Sequence, residues 1–275
     1  MTDALRLDPS AASALLDTSK SAFATMLGDL PNVSYYGEGG LWWVDTGLPD
    51  ATFNVVYQAP DSGDDDEYAL AAATAVDHFR RRDLPFHWDV GLRPEPAEAG
   101  RILTLNGLRH VEDEPGMWLD LGTDPVAVPQ VEGLTVEPVT DPATLREWIE
   151  VWGGPAPASV RDLWYEVYRW LPVDPEGDLR MLLGRLDGEP AATVQVVRTA
   201  SVAAVNWVVT PERLRRRGIG TAITSAALAE ARRAGCRIAV LTASPFGERI
   251  YRGLGFRQCC TVGTYEWEPG LTTAR

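Results

Sequence analysis

The sequence predicts an α/β (α+β) chain of two similar units, each a mixed, mostly antiparallel central sheet flanked by helices. Three observations carry this. β-branched runs alternate with amphipathic, alanine-rich stretches, so strands and helices share one chain. A stretch with two prolines, bounding glycines and no periodicity, residues 122–133, breaks the chain near its middle. The order of elements before that break repeats after it. With 275 residues and 45% hydrophobic content, the chain can fill two ordinary cores. The expected units are residues 1–125 and 133–275, with a linker over 126–132.

In the second unit, residues 134–139 read as a short strand. Asp141 then supplies an N-cap and Pro142 the first helical position of a helix that stops at Gly153 and Gly154. A second helix over 159–171 has Val160, Leu163, Trp164, Val167 and Leu171 at helical spacing, and Pro172 and Pro175 end it. Strands follow at 179–186 and 191–198, joined by the hairpin signal Asp187-Gly188, and at 202–209. A long helix runs from Ile219 to Ala234, where Gly235 stops it. A strand at 237–242, a short helix at 248–253 and a terminal strand at 257–267 complete the unit.

The first unit repeats that order more faintly. Residues 53–60 form a β-branched strand with an early Asn that runs into a proline, as do residues 205–211, and this sets Asn54 against Asn206. A charged loop, a helix at 68–81 and a strand at 86–90 come next. A short helix ends in Leu105-Asn106-Gly107-Leu108, to be set against Gly253-Leu254-Gly255-Phe256, and residues 117–121 match the terminal strand. The loop between the first strand and helix reads Asp61-Ser62-Gly63-Asp64-Asp65-Asp66-Glu67.

A formal net charge of −14 argues against nucleic acid and anionic membrane surfaces as partners. Cys236, Cys259 and Cys260 have neither zinc-ligand spacing nor the even count of a disulfide framework, so no metal is expected. With no targeting segment and no apolar run of spanning length, a cytoplasmic protein is expected, as a monomer or homodimer.

The chemistry lies between the strand at 202–209 and the helix after it. Arg215, Arg216 and Arg217 run directly into Gly218-Ile219-Gly220, where the helix begins. The first N–H groups of a helix lack internal partners and carry partial positive charge, which suits a phosphate. Guanidinium groups add paired donors for further phosphate oxygens. A solvated arginine run beside a bare turn is the plain alternative; the placement between strand and amphipathic helix weighs against it. No lysine with Ser or Thr trails the glycines, so this is not a P-loop, and Ile223 stands where a dinucleotide fold needs its third glycine.

Arg215-x-x-Gly218-x-Gly220 resembles the pyrophosphate-cradling signature of the GNAT acetyltransferases. The strand Val205-Asn206-Trp207-Val208-Val209-Thr210 is similar to the family's strand before that loop, and Tyr251-Arg252-Gly253-Leu254-Gly255-Phe256 to its tyrosine element. The resemblance spans residues 133–267 and implies acetyl-CoA as co-substrate. It further implies main-chain contacts from Val208, Val209 and Thr210 to pantetheine. Arg215, Arg216, Arg217, Gly218, Ile219, Gly220 and Thr221 would surround the phosphates, with Ser244 nearby. Tyr251 would be the general acid, its plain alternative being packing under Phe256. The acceptor is expected to be an amine on a small molecule or peptide. The base stays open between water, a backbone carbonyl, Asp162 and Glu166, since the three histidines precede the linker and both central strands lack Asp and Glu. Trp148, Trp152, Trp164 and Trp170 crowd the region where the family forms its acceptor site, though core packing is their default. Residues 1–125 resemble a degenerate GNAT-like unit, with Leu103 opposite Tyr251.

The contrast between the two loops predicts one acetyl-CoA per chain. A carboxylate a few ångströms from a phosphate costs about 1–4 kcal/mol, more than a helix end returns. The acidic loop at 61–67 should therefore reject the pyrophosphate that the arginine loop accepts. Calorimetric titration should give a stoichiometry near one; two sites would mean that the first loop is not a barrier.

Overall fold

The computed structural model describes residues 7–58, 65–91, 98–122 and 128–270. The first half comprises α1 (Pro9–Met26), β1 (Ser34–Glu38), β2 (Leu41–Asp45), β3 (Val55–Gln58), α2 (Asp65–Arg82), β4 (Phe86–Val90), α3 (Ala99–Leu105) and β5 (Arg109–Asp120). The second comprises β6 (Leu134–Pro138), α4 (Pro142–Gly153), α5 (Ala158–Tyr168), β7 (Leu179–Leu186), β8 (Glu189–Thr199), β9 (Val202–Val209), α6 (Ile219–Arg233), β10 (Ile238–Thr242), α7 (Glu248–Gly253) and β11 (Arg257–Trp267). Every element expected after residue 133 is present. α1, β1 and β2 precede the first one expected; Gly39 and Gly40, both at positive φ, form the turn that pairs β1 with β2. Residues 61–64 of the acidic loop, and 126–127 of the expected linker, lie outside the described residues.

The two expected sheets are joined into one. Eleven strands run in the order β1-β2-β3-β4-β11-β5-β10-β9-β8-β7-β6. Among the strands described, β3/β4 and β9/β10 are the parallel pairs. The terminal strands are exchanged between the halves: β11 lies between β4 and β5, while β5 lies between β11 and β10. β5 and β11 pair antiparallel from Arg257 opposite Trp118 to Glu266 opposite Arg109, with two register shifts.

The repeat is visible in how its helices end. Phe256 N–H donates to Tyr251 O at 3.0 Å, and Leu108 N–H donates to Leu103 O at 3.1 Å. Gly255 and Gly107 have left-handed φ values of 95° and 86° at matching positions. The parallel pairing corrects one detail of the sequence comparison. Pairing begins at Val55 in β3 and at Val202 in β9, so Asn54 sits level with the start of β9, not with Asn206. Asn54 is a fully buried loop lock, bonded to Thr46, Leu48, Asp50 and Pro85.

Helices cover both faces. α4 and α5 pack on one face with α1, which crosses from the first half over the central strands; Leu16 and Ala12 share a core with Trp118, Val262, Ala204 and Val240. On the other face α6 and α7 cover the second half, and α2 and α3 the first. No described helix is long and apolar enough to cross a membrane.

The exchange makes each half incomplete alone. Without β11, β5 loses one neighbour and, without β10, the other; Met117, Trp118 and Leu121 are all buried against residues of the second half. Each such side chain is worth about 1.5–3 kcal/mol of burial, against a domain stability of about 5–15 kcal/mol. Fragments 1–125 and 128–275 should show no cooperative melt when expressed singly, yet copurify and melt cooperatively when coexpressed. A fragment 1–125 that melts cooperatively as a monomer would contradict this.

Candidate active site

The site begins with a fault in the sheet. Along β9, Val209 pairs with Thr193 and Asn206 with Gln195, so one extra residue is accommodated opposite β8. Trp207 takes a left-handed φ of 52° there, and the buried Thr193 hydroxyl donates to its carbonyl at 2.9 Å. The bulge resets the alternation of side chains. Val205 and Val208 face α6, whereas Ala204 and Trp207 face α4 and α5. It also turns β9 away from β10. Their pairing covers only Val202 with Ile238, Ala203 with Ala239 and Ala204 with Val240. β10 continues beside β5, with Leu241 on Met117 and Thr242 on Gly116. A wedge therefore opens between Asn206–Thr210 and the end of β10, and Val208, Val209 and Thr210 border it with no strand on that side. Main-chain groups on such an edge are free to bind an extended, amide-bearing ligand.

The head of α6 closes one end of the wedge. Its N-cap, Gly218, has φ 82° and offers no side-chain acceptor. By contrast, Asp141 caps α4 by accepting from Ala143 and Thr144 N–H. The first turn of α6 (Ile219, Gly220, Thr221) is thus left with donors for an outside anion. Ile219 is 1% exposed and can contribute only its N–H. A Cβ on Gly220 would sit 3.5 Å from both Thr210 Oγ1 and Ile250 Cδ1, so the gap between strand end and α7 is as wide as glycine leaves it. Arg215, Arg216 and Arg217 are exposed, and no described carboxylate pairs with any of them. Arg215 Nε donates to Thr210 O at 3.2 Å, and its guanidinium lies 5.4 Å from the Phe246 ring centre.

Tyr251 stands on α7 beside Leu241 and Ala243, on the α6 side of the sheet. Burial, then the charge of Glu114, pushes its hydroxyl up to about 12, so it holds its proton at neutral pH. It also meets Phe256 edge-on at 5.8 Å. The packing contact and the proton-bearing phenol coexist. Ser244, expected among the coenzyme contacts, accepts from Gly247 N–H at 3.3 Å and shapes the turn into α7.

On the opposite face Trp207 lies 5.0 Å from Trp152, which meets Trp164 at 4.3 Å and Tyr168 at 5.6 Å between ring centres. Tyr168 donates to buried Gln195 at 2.8 Å, and Trp148 donates to Leu182 O at 3.1 Å. Trp148 is therefore core, and Trp152, Trp164 and Trp207 form a wall beside the wedge. Trp170 is 53% exposed and stands outside that wall. Of the two carboxylates considered as a base, Asp162 pairs with Arg146 and Glu166 with Arg169, each at 2.7 Å, and both are exposed to solvent. The sequence reading missed a group from across the break, Glu114 of β5, which the strand exchange brings to the wedge. Among the described residues no cluster of three or more His, Cys, Asp or Glu is placed to hold a metal.

Residues 145–256 match the acetyltransferase (GNAT) family. Similar solved structures span both halves of the chain. A GCN5-related N-acetyltransferase from Kribbella flavida covers 92% of this chain and 96% of its own, at 23% identity and a TM-score of 0.69. A tandem GNAT protein from the clavulanic acid biosynthesis pathway, solved without AcCoA, covers 94% and 97% at 17% identity and a TM-score of 0.62. A GCN5-related N-acetyltransferase from Sphaerobacter thermophilus covers 85% and 79% at 20% identity and a TM-score of 0.61. At these identities the likeness is one of fold. No curated protein sequence matches the chain. The uncapped, arginine-flanked helix head offers donors to an anion, and the free edge of β9 offers main-chain groups to an extended ligand.

Gly220→Glu should fill the gap beside Thr210 with a negative side chain. A repulsion of about 1–4 kcal/mol corresponds to CoA binding weakened about five- to thousandfold. Gly220→Ala, whose Cβ meets only ordinary contacts, should bind nearly as the parent does. Calorimetry on folded variants checks both, and parental affinity in Gly220→Glu would remove the phosphate site from this helix.

Proposed function

We propose that the protein is an acetyl-CoA-dependent N-acetyltransferase that moves acetyl directly to an amine. One arrangement carries the reading: a wedge with an anion-binding helix head at one end and a buried, protonated phenol beside its mouth. Arg215, Arg216, Arg217 and the N–H groups of Gly218, Ile219, Gly220 and Thr221 would hold the phosphates. The free edge at Val208, Val209 and Thr210 would align the pantetheine arm, and Ser244 flanks its far side. The amine nitrogen then bonds to the acetyl carbon and the carbon–sulfur bond breaks. The departing thiolate takes the Tyr251 proton, while the nitrogen gives up one proton on becoming an amide, and exchange of that proton through solvent restores the phenol.

The acceptor is proposed to be a small-molecule or peptide amine entering from the side of Trp152, Trp164 and Trp207, whose rings suit an apolar or cationic body. Phosphates at the other end of the wedge leave this face to the acceptor. The titration of Tyr251 near pH 12 means that the phenol stays a donor throughout the working range, so activity should show no alkaline limb from it below about pH 11.

A screen of amines with acetyl-CoA and a free-thiol readout tests the reading. At least one amine should release thiol and appear as its N-acetyl product by mass spectrometry. Tight acetyl-CoA binding without thiol release from any amine would instead define a binding module. With an active amine, Tyr251→Phe should lower kcat about 10²–10⁴-fold while CoA affinity stays put. Parental turnover in Tyr251→Phe would leave this ring as packing for Phe256.

A further inference from the structure

The two second-half carboxylates considered as a base both pair with arginines at the surface, whereas the exchanged strand brings a further carboxylate from the first half to the end of β10. Along β5, Gly116 pairs with Thr242, the last residue of β10, and Pro115 O accepts from Ala243 N–H at 3.0 Å. Glu114 is the next residue, level with Ser244 and just past the end of β10, at the mouth of the wedge. Its face follows from the alternation. Met117 packs with Tyr251 on the α6 side, whereas Trp118 shares the α1, α4 and α5 side. A Cβ on Gly116 would likewise meet Leu16 of α1. Glu114 belongs to that second face, the one with the aromatic wall.

Resting on the N-acetyltransferase reading, we propose that Glu114 is the general base, a catalytic residue supplied across the strand exchange by the otherwise ligand-free half. The amine enters from the aromatic side, between Glu114 on one face of the sheet and Tyr251 on the other. Its nitrogen bonds to the acetyl carbon while its N–H proton passes to the Glu114 carboxylate. The electron pair of the broken carbon–sulfur bond stays on sulfur, which takes the Tyr251 proton. One proton enters the protein and one leaves it, and solvent exchange between the two groups resets the site.

The surroundings suit a base. Lys20 of α1 approaches, but its ammonium is bonded to Asp89 of β4 at 2.5 Å. Glu112 of the same strand and Asp89 repel the carboxylate, while the Thr242 hydroxyl of β10 faces it. Cys260 of β11 lies near the same lysine, and Tyr251 of α7 feels the Glu114 charge. Burial first, and Glu112 second, raise the Glu114 pKa above its ordinary value, so its carboxylate holds a proton more tightly than a surface glutamate. The carboxylate is the active form, so activity should fall as pH drops through that raised value.

Glu114→Gln tests this. With an acceptor that the parent acetylates, kcat/KM for the amine should fall about 10²–10⁴-fold, with acetyl-CoA affinity unchanged by calorimetry. The acid limb of the parent profile should vanish in Glu114→Gln and persist in Glu114→Asp, which keeps a carboxylate. Carbon-13 NMR of the glutamate carboxyls gives a readout without turnover: the parent should show a resonance titrating above the ordinary range that Glu114→Gln lacks. Parental kinetics in Glu114→Gln would overturn the proposal while leaving the transferase reading intact. Equal losses in Glu114→Gln and Glu114→Asp, with the acid limb kept in both, would reassign Glu114 to structure. If the parent acetylates no amine at all, the transferase reading falls and this proposal with it.

Discussion

The antiparallel pairing of β5 with β11 is the contact on which the rest of the molecule depends. It lies at the centre of an eleven-stranded sheet and is made from the last strand of each half. Because each of these strands is inserted beside the other half's penultimate strand, neither sheet is closed on its own terms. β10 ends against Gly116 of the first half, and β4 pairs throughout with β11 of the second. The core follows the same logic. α1, a first-half helix, covers Trp118, Val262 and Val240 together, so its burial requires both chains of strands to be in place. A hinge between the halves is not available to this architecture, since a movement would break ladder hydrogen bonds on both sides of the seam.

The wedge is the local counterpart of that global constraint. A sheet with continuous pairing has no room for a ligand between two strands, and here the bulge at Trp207 creates it. A left-handed φ at a tryptophan costs about 1–2 kcal/mol. The Thr193 hydroxyl on the Trp207 carbonyl and the contact of Trp207 with Trp152 offset that cost. Strain held in this way by neighbours is found where a site needs it. Pairing of β10 with β5 on its other edge keeps the far wall of the wedge rigid while β9 departs. The exchanged strand therefore has two roles: it completes the sheet, and it fixes the wall against which the ligand would be held.

Much of this was legible in the sequence. In the second half, Asp141 and Pro142, the Asp187-Gly188 turn, Gly218 and Gly235 mark element ends that the structure reproduces, because each is a local backbone requirement. The arginine–glycine loop was legible for the same reason: strand, loop and helix head are contiguous. What failed was non-local. β1 and β2 carry a Gly39-Gly40 turn signal, but the half-exposed strand Ser34–Glu38 has little alternation to support it. Asn54 and Asn206 look equivalent by residue type, yet one locks a loop and the other sits at the bulge. The exchange left no trace in the pattern, since β5 and β11 would show the same alternation beside either β4 or β10. Glu114 was invisible to a reading that confined the site to one unit.

The same geometry recurs in the first half, where the opening between two strands is occupied by the half's own side chains. β3 and β4 pair only at Val55 with His87 and Val56 with Trp88, and they part beyond those residues as β9 and β10 do. The opening is filled from within. Tyr57 is 8% exposed and stacks on Trp42 at 4.4 Å, with its hydroxyl pKa raised by burial first and by Asp89 second. Asp89 accepts from Lys20 Nζ at 2.5 Å and from the Thr264 hydroxyl at 2.9 Å. Burial works to raise the Asp89 carboxyl, yet Lys20, His87 and Thr264 together hold it down at about 2. An ion pair so enclosed is a poor source of net stability, but among the described residues it satisfies its own charges within the opening. Leu103, where the second half has Tyr251, removes the proton donor as well. With its wedge plugged by Lys20 and Asp89, the first half is free to serve the second, and the residue it can lend is the carboxylate beside that plug, Glu114.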